Sequence, residues 1–154
     1  MKETRVHVAC VGNLFRSRLA EAYLKSKQLP NIKVSSSGSE ATIQHKGPIY
    51  WGTLRLLQRN DLLPFMSMMW KQTTEDDLKD VDMVIFMEKA NFEFCQQWIS
   101  PKTKYEIWNI PDFNDKYLDN KPFDQKKEIE YMIMSEDIFA EIIEKVDQLI
   151  LTLS

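Results

Sequence analysis

A cysteine and an arginine lie six positions apart near the start of the chain. Cys10 follows a short apolar stretch, and Arg16 comes directly before a segment rich in helix-forming residues. A loop that wraps around a helix N-terminus can aim several backbone N–H groups at one centre, which makes a site for an oxyanion such as phosphate. Positive potential in such a loop favours the nucleophilic thiolate form of a cysteine. The spacing therefore predicts a thiol nucleophile in an anion-binding loop.

The loop between these two residues contains further groups that suit this chemistry. Arg16 carries a planar guanidinium that can hold two oxygens of one phosphate group, which a lysine cannot do. Ser17 can donate a hydrogen bond to the sulfur and so help it to leave after it has reacted. Gly12 gives the backbone a freedom that a Cβ atom would remove. Taken alone, this spacing is a weak pattern, because a buried cysteine near a surface arginine also produces it.

Strand and helix patterns alternate along the rest of the chain. The predicted strands span residues 5–9, 32–36, 81–87 and 105–110. The predicted helices span residues 17–27, 50–60, 90–99 and 128–151, with Ser17 as a cap of the first helix and a capped turn at residues 74–77. This order predicts an α/β fold with a four-stranded parallel sheet and helices on both faces. Sites in such folds lie at the carboxyl ends of strands, where Cys10 is expected.

Length and composition are those of one ordinary domain. The chain has 154 residues, of which 44% are hydrophobic and 28% charged, so we expect a single domain over residues 1–154. A net charge of -3 excludes the basic field that holds nucleic acid non-specifically. No segment resembles a signal peptide or reaches the roughly 18 apolar residues of a membrane helix. We expect a cytoplasmic monomer with no nucleic-acid or membrane partner.

The numbers of cysteine and histidine residues give little support for a metal site or for disulfide bonds. Two cysteines and two histidines are too few for a disulfide framework and show no zinc-like spacing. Cys95 is typical of a small buried hydrophobic side chain. We therefore expect no metal ion and no other cofactor.

Residues 8–24 resemble the signature of the low-molecular-weight protein-tyrosine phosphatases. They contain Cys-Val-Gly-Asn-Leu-Phe-Arg-Ser at positions 10–17, followed by Leu-Ala-Glu-Ala. Residues 34–38 are similar to the second strand and serine-bearing turn of that family. Residues 71–88 are similar to its third helix–strand unit, which ends on the acid Glu88, and Asn91 matches the family just beyond it.

The resemblance implies roles for several residues beyond Cys10 and Arg16. The substrate phosphate is expected to lie in the loop formed by Val11, Gly12, Asn13, Leu14, Phe15 and Ser17. Ser36 is implied as a supporting serine, and the side-chain amide of Asn13 is implied to tie the loop together. An asparagine that merely adopts a tight turn is an equally good interpretation of Asn13.

The proton donor is inferred from the residues that follow the last predicted strand. Asp112 stands where the family carries the aspartate of an Asp-Pro pair, its general acid, although Phe113 replaces the proline here. The resemblance therefore implies that Asp112 protonates the leaving group. Asp115 is the nearest alternative, but it lacks the preceding apolar strand that would bring it to the edge of the sheet.

The implied activity is hydrolysis of phosphotyrosine, or of another aryl phosphate monoester, through a phosphocysteine intermediate. The chain departs from the family at Phe15, where many members carry a second cysteine. It also lacks an aromatic residue at positions 41–45, where the family usually flanks the substrate ring. The aromatic residues that could replace it are Tyr50, Trp51, Phe113 and Tyr117, although each is also typical of ordinary core or rim packing.

Three alternatives remain open from the sequence. An arsenate reductase of the same fold would need two further cysteines, and only Cys95 is available. A phosphocysteine carrier of a sugar-transport system generally lacks the pair formed by Arg16 and Ser17. A phosphopeptide-binding module without turnover would not need Cys10, Arg16 and Asp112 together.

Overall fold

The computed structural model describes residues 2–44, 47–112 and 124–153. Four parallel strands form its central sheet in the order β2-β1-β3-β4. The strands are β1 (Thr4–Cys10), β2 (Ile32–Gly38), β3 (Met83–Phe86) and β4 (Lys104–Ile107). The helices are α1 (Arg16–Ser26), α2 (Ala41–Gln44), α3 (Trp51–Arg59), α4 (Glu75–Leu78), α5 (Lys89–Cys95) and α6 (Gln125–Leu153). The predicted fold class, including the position of the cysteine loop after β1, is confirmed.

Alternating side chains of the strands pack into two separate hydrophobic clusters. The larger cluster contains Val8 and Cys10 of β1 together with buried residues of α1, α3 and α6. The smaller cluster contains Ala9 of β1 together with Leu78 of α4 and Cys95 of α5. Because successive side chains of a strand point to opposite faces of the sheet, the helices cover both faces, as predicted.

Several element boundaries differ from the predictions. Residues 35–38 continue β2 instead of forming a turn, because each of them pairs with a residue of β1, up to Gly38 opposite Cys10. The helix predicted over 90–99 ends as an α-helix at Cys95 and continues as a 3₁₀ turn, Gln96–Trp98. The predicted cap at Ser17 is wrong, since α1 begins at Arg16 and the Ser17 hydroxyl bonds elsewhere. The capped turn at Thr74 is confirmed by its reciprocal bonds with Asp77.

The strand predicted over 105–110 pairs in regular register only as far as Ile107. Beyond that residue the chain stays attached to β3 by two backbone hydrogen bonds, from Trp108 N to Phe86 O (2.8 Å) and from Ile110 N to Met87 O (3.0 Å). These bonds carry the chain along the carboxyl edge of the sheet as far as the loop after β1. Within the described ranges, no helix is long and apolar enough to cross a membrane.

His7 lies in β1 beneath the cysteine loop and is 1% exposed. Its Nδ1 hydrogen-bonds with Ser35 Oγ (2.8 Å) and its Nε2 with Ser37 Oγ (2.7 Å), and Ser37 Oγ bonds in turn with Thr73 Oγ1 (2.6 Å). Burial lowers the pKa of His7 to about 4, against the attraction of Asp77 and with a small contribution from Lys71. The imidazole is therefore neutral and bonded on both sides at neutral pH.

The low pKa of His7 predicts a loss of stability in mild acid. As pH falls from 6.5 towards 4, the unfolded chain takes up a proton on His7 before the folded protein does, so the free energy of unfolding falls. The slope is at most about 1.4 kcal/mol per pH unit, and the total loss is about 3 kcal/mol. Urea unfolding at pH 7 and pH 5 measures it. His7→Gln should show a shallower dependence over this interval, and an equally steep one would contradict the assignment.

Candidate active site

Cys10 is the last residue of β1, and the loop that follows it leads directly into α1. The Cys10 side chain is 3% exposed. Its Sγ lies 2.9 Å from Ser17 Oγ and accepts a hydrogen bond from the backbone N–H of Asn13 at 3.3 Å. The sulfur therefore has one donor from the loop, the Asn13 N–H, and a hydroxyl from the first turn of α1 that is able to donate. Such donors stabilise a negatively charged sulfur.

Asn13 is the hub of the loop. It adopts a left-handed conformation, with φ of 55°, and its side-chain Nδ2 donates to Ser17 Oγ (2.7 Å) and to Ser36 Oγ (3.0 Å). Its Oδ1 accepts a hydrogen bond from the backbone N–H of Lys71 (2.8 Å). Asn13 thus has both properties considered from the sequence, since it makes the tight turn and also ties the loop to β2 and to the chain before α4.

Gly12, which was expected to give the loop backbone freedom, does not have a positive φ. Of the described glycines only Gly47 has a positive φ, and the left-handed residue of the loop is Asn13. Gly38 is the glycine that the loop requires, because a Cβ there would lie 2.6 Å from Val11 O and 2.7 Å from Asn13 N. The end of β2 can therefore support the loop only because it carries no side chain.

Hydrogen bonds from two further segments fix carbonyl groups of the loop. The backbone N–H of Ser39 donates to Cys10 O (2.9 Å), and that of Glu40 donates to Val11 O (2.8 Å). Thr53 of α3 donates its hydroxyl to Leu14 O (2.7 Å). Because groups of the protein bind these carbonyls, the backbone of the loop is held rigidly. A preorganised anion site needs such a rigid backbone.

Arg16 lies at the start of α1 and is 1% exposed. Its Nη1 donates to Ile110 O (2.8 Å), and its Nη2 lies 3.1 Å from Asp112 Oδ2 and 2.5 Å from Glu88 Oε1. Burial by itself lowers the pKa of Arg16, but the negative charges of Asp112, Cys10 and Glu88 outweigh burial and raise it. The guanidinium is thus a fixed cation, held by residues that follow β3 and β4.

The structure brings together most of the residues predicted for the site. Cys10, Asn13, Ser17 and Ser36 form one hydrogen-bonded group. Arg16 and Asp112 form a second group, and its arginine directly precedes Ser17 in the chain. Leu14 and Phe15 belong to the larger hydrophobic cluster, with exposures of 3% and 5%. Their side chains are therefore part of the core. Val11 and Gly12 are partly exposed.

The aromatic residues proposed to flank the substrate do not share one environment. Tyr50 is buried and packs edge-on against Phe15, with ring centroids 6.1 Å apart, so it is a core residue. Trp51 is 44% exposed and its indole Nε1 donates to Glu128 Oε2 (3.1 Å). Phe113 and Tyr117 lie outside the described residues, as does Asp115, the alternative proton donor.

Cys10 and Cys95 lie in different hydrophobic clusters, on opposite faces of the sheet. Burial raises the pKa of the Cys95 thiol to about 12, so this thiol is protonated and unreactive at neutral pH. The arrangement does not suit a thiol relay between the two cysteines. It counts against the arsenate reductase alternative.

Sequence reasoning missed four contributors to the site. Glu88 was matched to the family but given no role, and Gly38 was interpreted as part of a turn. Thr53 was not singled out, and neither was Arg18, whose Nη1 donates to Asn13 O (3.2 Å). The sequence did contain a signal for Arg18, because a charged residue stands there within the apolar first turns of a helix, in Ser-Arg-Leu-Ala. In the part of the chain that the structure describes, no group of three or more His, Cys, Asp or Glu side chains is placed to hold a metal ion.

Comparison with known proteins adds three findings. A family model for low molecular weight phosphotyrosine protein phosphatases matches residues 5–154. The low molecular weight protein-tyrosine-phosphatase PtpA of Staphylococcus saprophyticus is 32% identical over 114 residues, which cover 71% of each chain. YfkJ from Bacillus subtilis has a similar structure, with a TM-score of 0.73, 22% identity and coverage of 99% of this chain and 96% of that one.

A second solved structure shares the fold at a similar level. Wzb of Vibrio vulnificus, determined in complex with benzylphosphonate, gives a TM-score of 0.71 at 21% identity and covers 95% of this chain and 96% of that one. At these identities both structures show the fold alone.

Proposed function

The chain belongs to the low-molecular-weight protein-tyrosine-phosphatase family, and from this we propose that it hydrolyses aryl phosphate monoesters, phosphotyrosine among them, through a phosphocysteine intermediate. One observation carries the proposal. The sulfur of Cys10 accepts a hydrogen bond from the Asn13 amide and lies 2.9 Å from Ser17 Oγ, in a loop that ends on the buried cation Arg16. A nucleophile, its stabilising donors and a phosphate-binding cation thus share one rigid segment.

In the first proposed step the Cys10 thiolate attacks phosphorus. A sulfur–phosphorus bond forms while the bond from phosphorus to the aryl oxygen breaks, and the Asp112 carboxyl gives its proton to the departing oxygen. Arg16 and the loop amides bind the equatorial oxygens, whose charge they stabilise in the transition state. The products of this step are a phenol and the phosphocysteine.

In the second step water attacks the phosphocysteine. The Asp112 carboxylate accepts a proton from that water, the new phosphorus–oxygen bond forms, and the sulfur leaves as a thiolate. The Ser17 hydroxyl, at 2.9 Å from the sulfur, is placed to donate a hydrogen bond to it as it leaves. Inorganic phosphate is released, and both Cys10 and Asp112 regain their starting protonation states.

The position of Asp112 fits a residue that changes partners during the reaction. Its Oδ2 accepts a hydrogen bond from Arg16 Nη2, and its side chain is 41% exposed. A bound phosphate would compete for the same guanidinium. The carboxyl group would then be released towards the aryl oxygen, beside a dianion that favours its protonated form.

The proposed activity is tested by release of inorganic phosphate from p-nitrophenyl phosphate in the presence of a chelator. We expect turnover that inorganic phosphate and benzylphosphonate inhibit competitively. Arsenate-dependent oxidation of a thiol without phosphate release would instead favour the reductase. Phosphopeptide binding without any turnover would favour the binding module.

Asp112→Asn tests the proton donor through the leaving group. Hydrolysis of phosphotyrosine, whose phenol has a pKa of about 10, should fall by about 10²- to 10⁴-fold. Hydrolysis of p-nitrophenyl phosphate should fall much less, because its phenolate leaves without a proton. The measurement is the ratio of the two kcat/KM values. Asp115→Asn is the matched control, and a selective loss in that variant would move the general acid to Asp115.

The substrate panel that would refine this proposal consists of phosphotyrosine peptides and small aryl phosphates. A protein or small molecule bearing such a group is the proposed partner. A cytoplasmic location, a monomeric state, a single domain over residues 1–154 and independence of cofactors stay predictions.

A further inference from the structure

Arg18 is a fully buried cation that the proposed reaction does not use. It lies in the first turn of α1, is 1% exposed, and is among the largest fully buried side chains of the protein. Burying a charged group costs free energy unless hydrogen bonds compensate it. The position therefore calls for a specific account of what its guanidinium binds.

Within the described residues, the Arg18 guanidinium donates its hydrogen bonds to backbone carbonyl groups. Nη1 donates to Asn13 O (3.2 Å) and to Pro48 O (2.8 Å), and Nη2 donates to Ser67 O. These acceptors come from three segments: the cysteine loop, the chain before α3, and the chain before α4. One side chain thus fastens the loop to two segments that are far from it in sequence.

The contact with Asn13 connects Arg18 to the nucleophile through a single residue. The carbonyl that Arg18 holds belongs to the left-handed residue of the loop. The N–H of the same residue donates to Cys10 Sγ. Fixing this carbonyl restricts rotation of Asn13 and so keeps its N–H pointing at the sulfur.

The charge of Arg18 also acts on the site. Its hydrogen-bond acceptors are uncharged, so these contacts do not neutralise it. Burial lowers the pKa of Arg18, while the negative charges of Glu21 and of the Cys10 sulfur act in the opposite direction. The attraction between guanidinium and sulfur is mutual, and a buried pair is screened less than an exposed one.

We propose that Arg18 is a positioning residue for the nucleophile, which holds the Asn13 peptide in place and adds a second positive charge behind Cys10. Arg16 faces the substrate phosphate, and Arg18 acts from the protein side of the same loop. The inference rests on the proposed role of Cys10 as nucleophile. It predicts that substitutions can separate the effect of the Arg18 hydrogen bonds from the effect of its charge.

Two variants make that separation. Arg18→Lys keeps a charge but cannot reach three carbonyls, so kcat for p-nitrophenyl phosphate should fall about tenfold or more, since small misplacements are costly. The pH dependence of Cys10 alkylation by iodoacetamide should move less than in Arg18→Gln, because the charge is kept. Arg18→Gln removes both contributions: kcat/KM should fall about 10- to 100-fold, and the alkylation midpoint should move up by about half a pH unit or more.

Two controls separate positioning from general destabilisation. Leu149→Ala removes a core side chain of α6 and should lower the melting temperature without moving the alkylation profile. Arg59→Gln removes an exposed charge paired with Glu136 and should change neither. Mass spectrometry assigns the alkylated thiol to Cys10, since the buried Cys95 should not react.

Different results would overturn the proposed role of Arg18 and the proposed function. An Arg18→Gln protein with the wild-type alkylation profile, and with no greater kinetic loss than Leu149→Ala, would overturn the proposal. If Arg18→Gln does not fold, Arg18→Lys decides, because a wild-type kcat in that variant would also overturn it. If the wild-type protein hydrolyses no aryl phosphate, the proposed function fails while the alkylation profiles still test Arg18.

Discussion

Cys10→Ser should abolish turnover of aryl phosphates while leaving the binding of phosphate nearly unchanged. A serine hydroxyl in this place is a far weaker nucleophile than a thiolate, so kcat should fall by at least about 10⁴-fold. The groups proposed to bind the oxyanion are the loop amides and Arg16, and none of them is altered. The measurement pairs steady-state hydrolysis of p-nitrophenyl phosphate with calorimetric titration of inorganic phosphate.

Cys95→Ser is the control for this variant because Cys95 is equally buried but lies on the other face of the sheet. It should lose stability, since a hydroxyl replaces a thiol in an apolar cluster, yet keep its turnover. A Cys10→Ser enzyme with kcat near wild type would remove Cys10 from the mechanism. Loss of turnover in Cys95→Ser, with the fold intact, would revive a two-thiol reaction.

Arg16→Lys should lower kcat/KM by about a hundredfold to a thousandfold, or about 3 to 4 kcal/mol of transition-state stabilisation. Lysine keeps the positive charge opposite Glu88 and Asp112. It cannot also donate to Ile110 O and hold two oxygens of a phosphate group, as the planar guanidinium can. The measurement is kcat/KM on p-nitrophenyl phosphate, together with the inhibition constant for inorganic phosphate.

The matched control for this substitution is Arg59→Lys, at an exposed arginine that pairs with Glu136. Exposed ion pairs contribute little, so its kinetics should match wild type. Unchanged kcat/KM in Arg16→Lys would show that charge alone is required at this position. In that case bidentate binding of phosphate would have to be abandoned as the role of Arg16.

The environment of Arg16 explains why a substitution at this position should have a large effect. A buried guanidinium held by Ile110 O and Glu88 needs little reorganisation when a phosphate arrives, apart from the release of Asp112. Preorganised charge of this kind is usually the main source of catalytic stabilisation. Cys10 and Arg16 are six positions apart, so one loop carries both the proposed nucleophile and the proposed phosphate-binding cation.

The sequence by itself determined those features of this protein that depend on residues close together in the chain. Hydrophobic alternation placed β1 before Cys10 and a helix after it, and helical spacing placed α3 and α6 to within a few residues. Those elements depend on contacts between near neighbours in the chain, and the sequence pattern encodes them directly. The family signature is local as well, since it lies within residues 8–24.

Only the tertiary structure decided which distant groups complete the site. Asp112 and Ile110 reach Arg16 from beyond β4, and Glu88 reaches it from beyond β3, because parallel strands end at one edge of the sheet. Gly38 supports the loop, and no local pattern distinguishes it from an ordinary turn glycine. Arg18 binds the Asn13 carbonyl of the loop, and its position among small and apolar helix residues was only a weak sign of its burial. The physical reason is that burial and close approach are properties of packed elements, which arise only once the sheet and helices have come together.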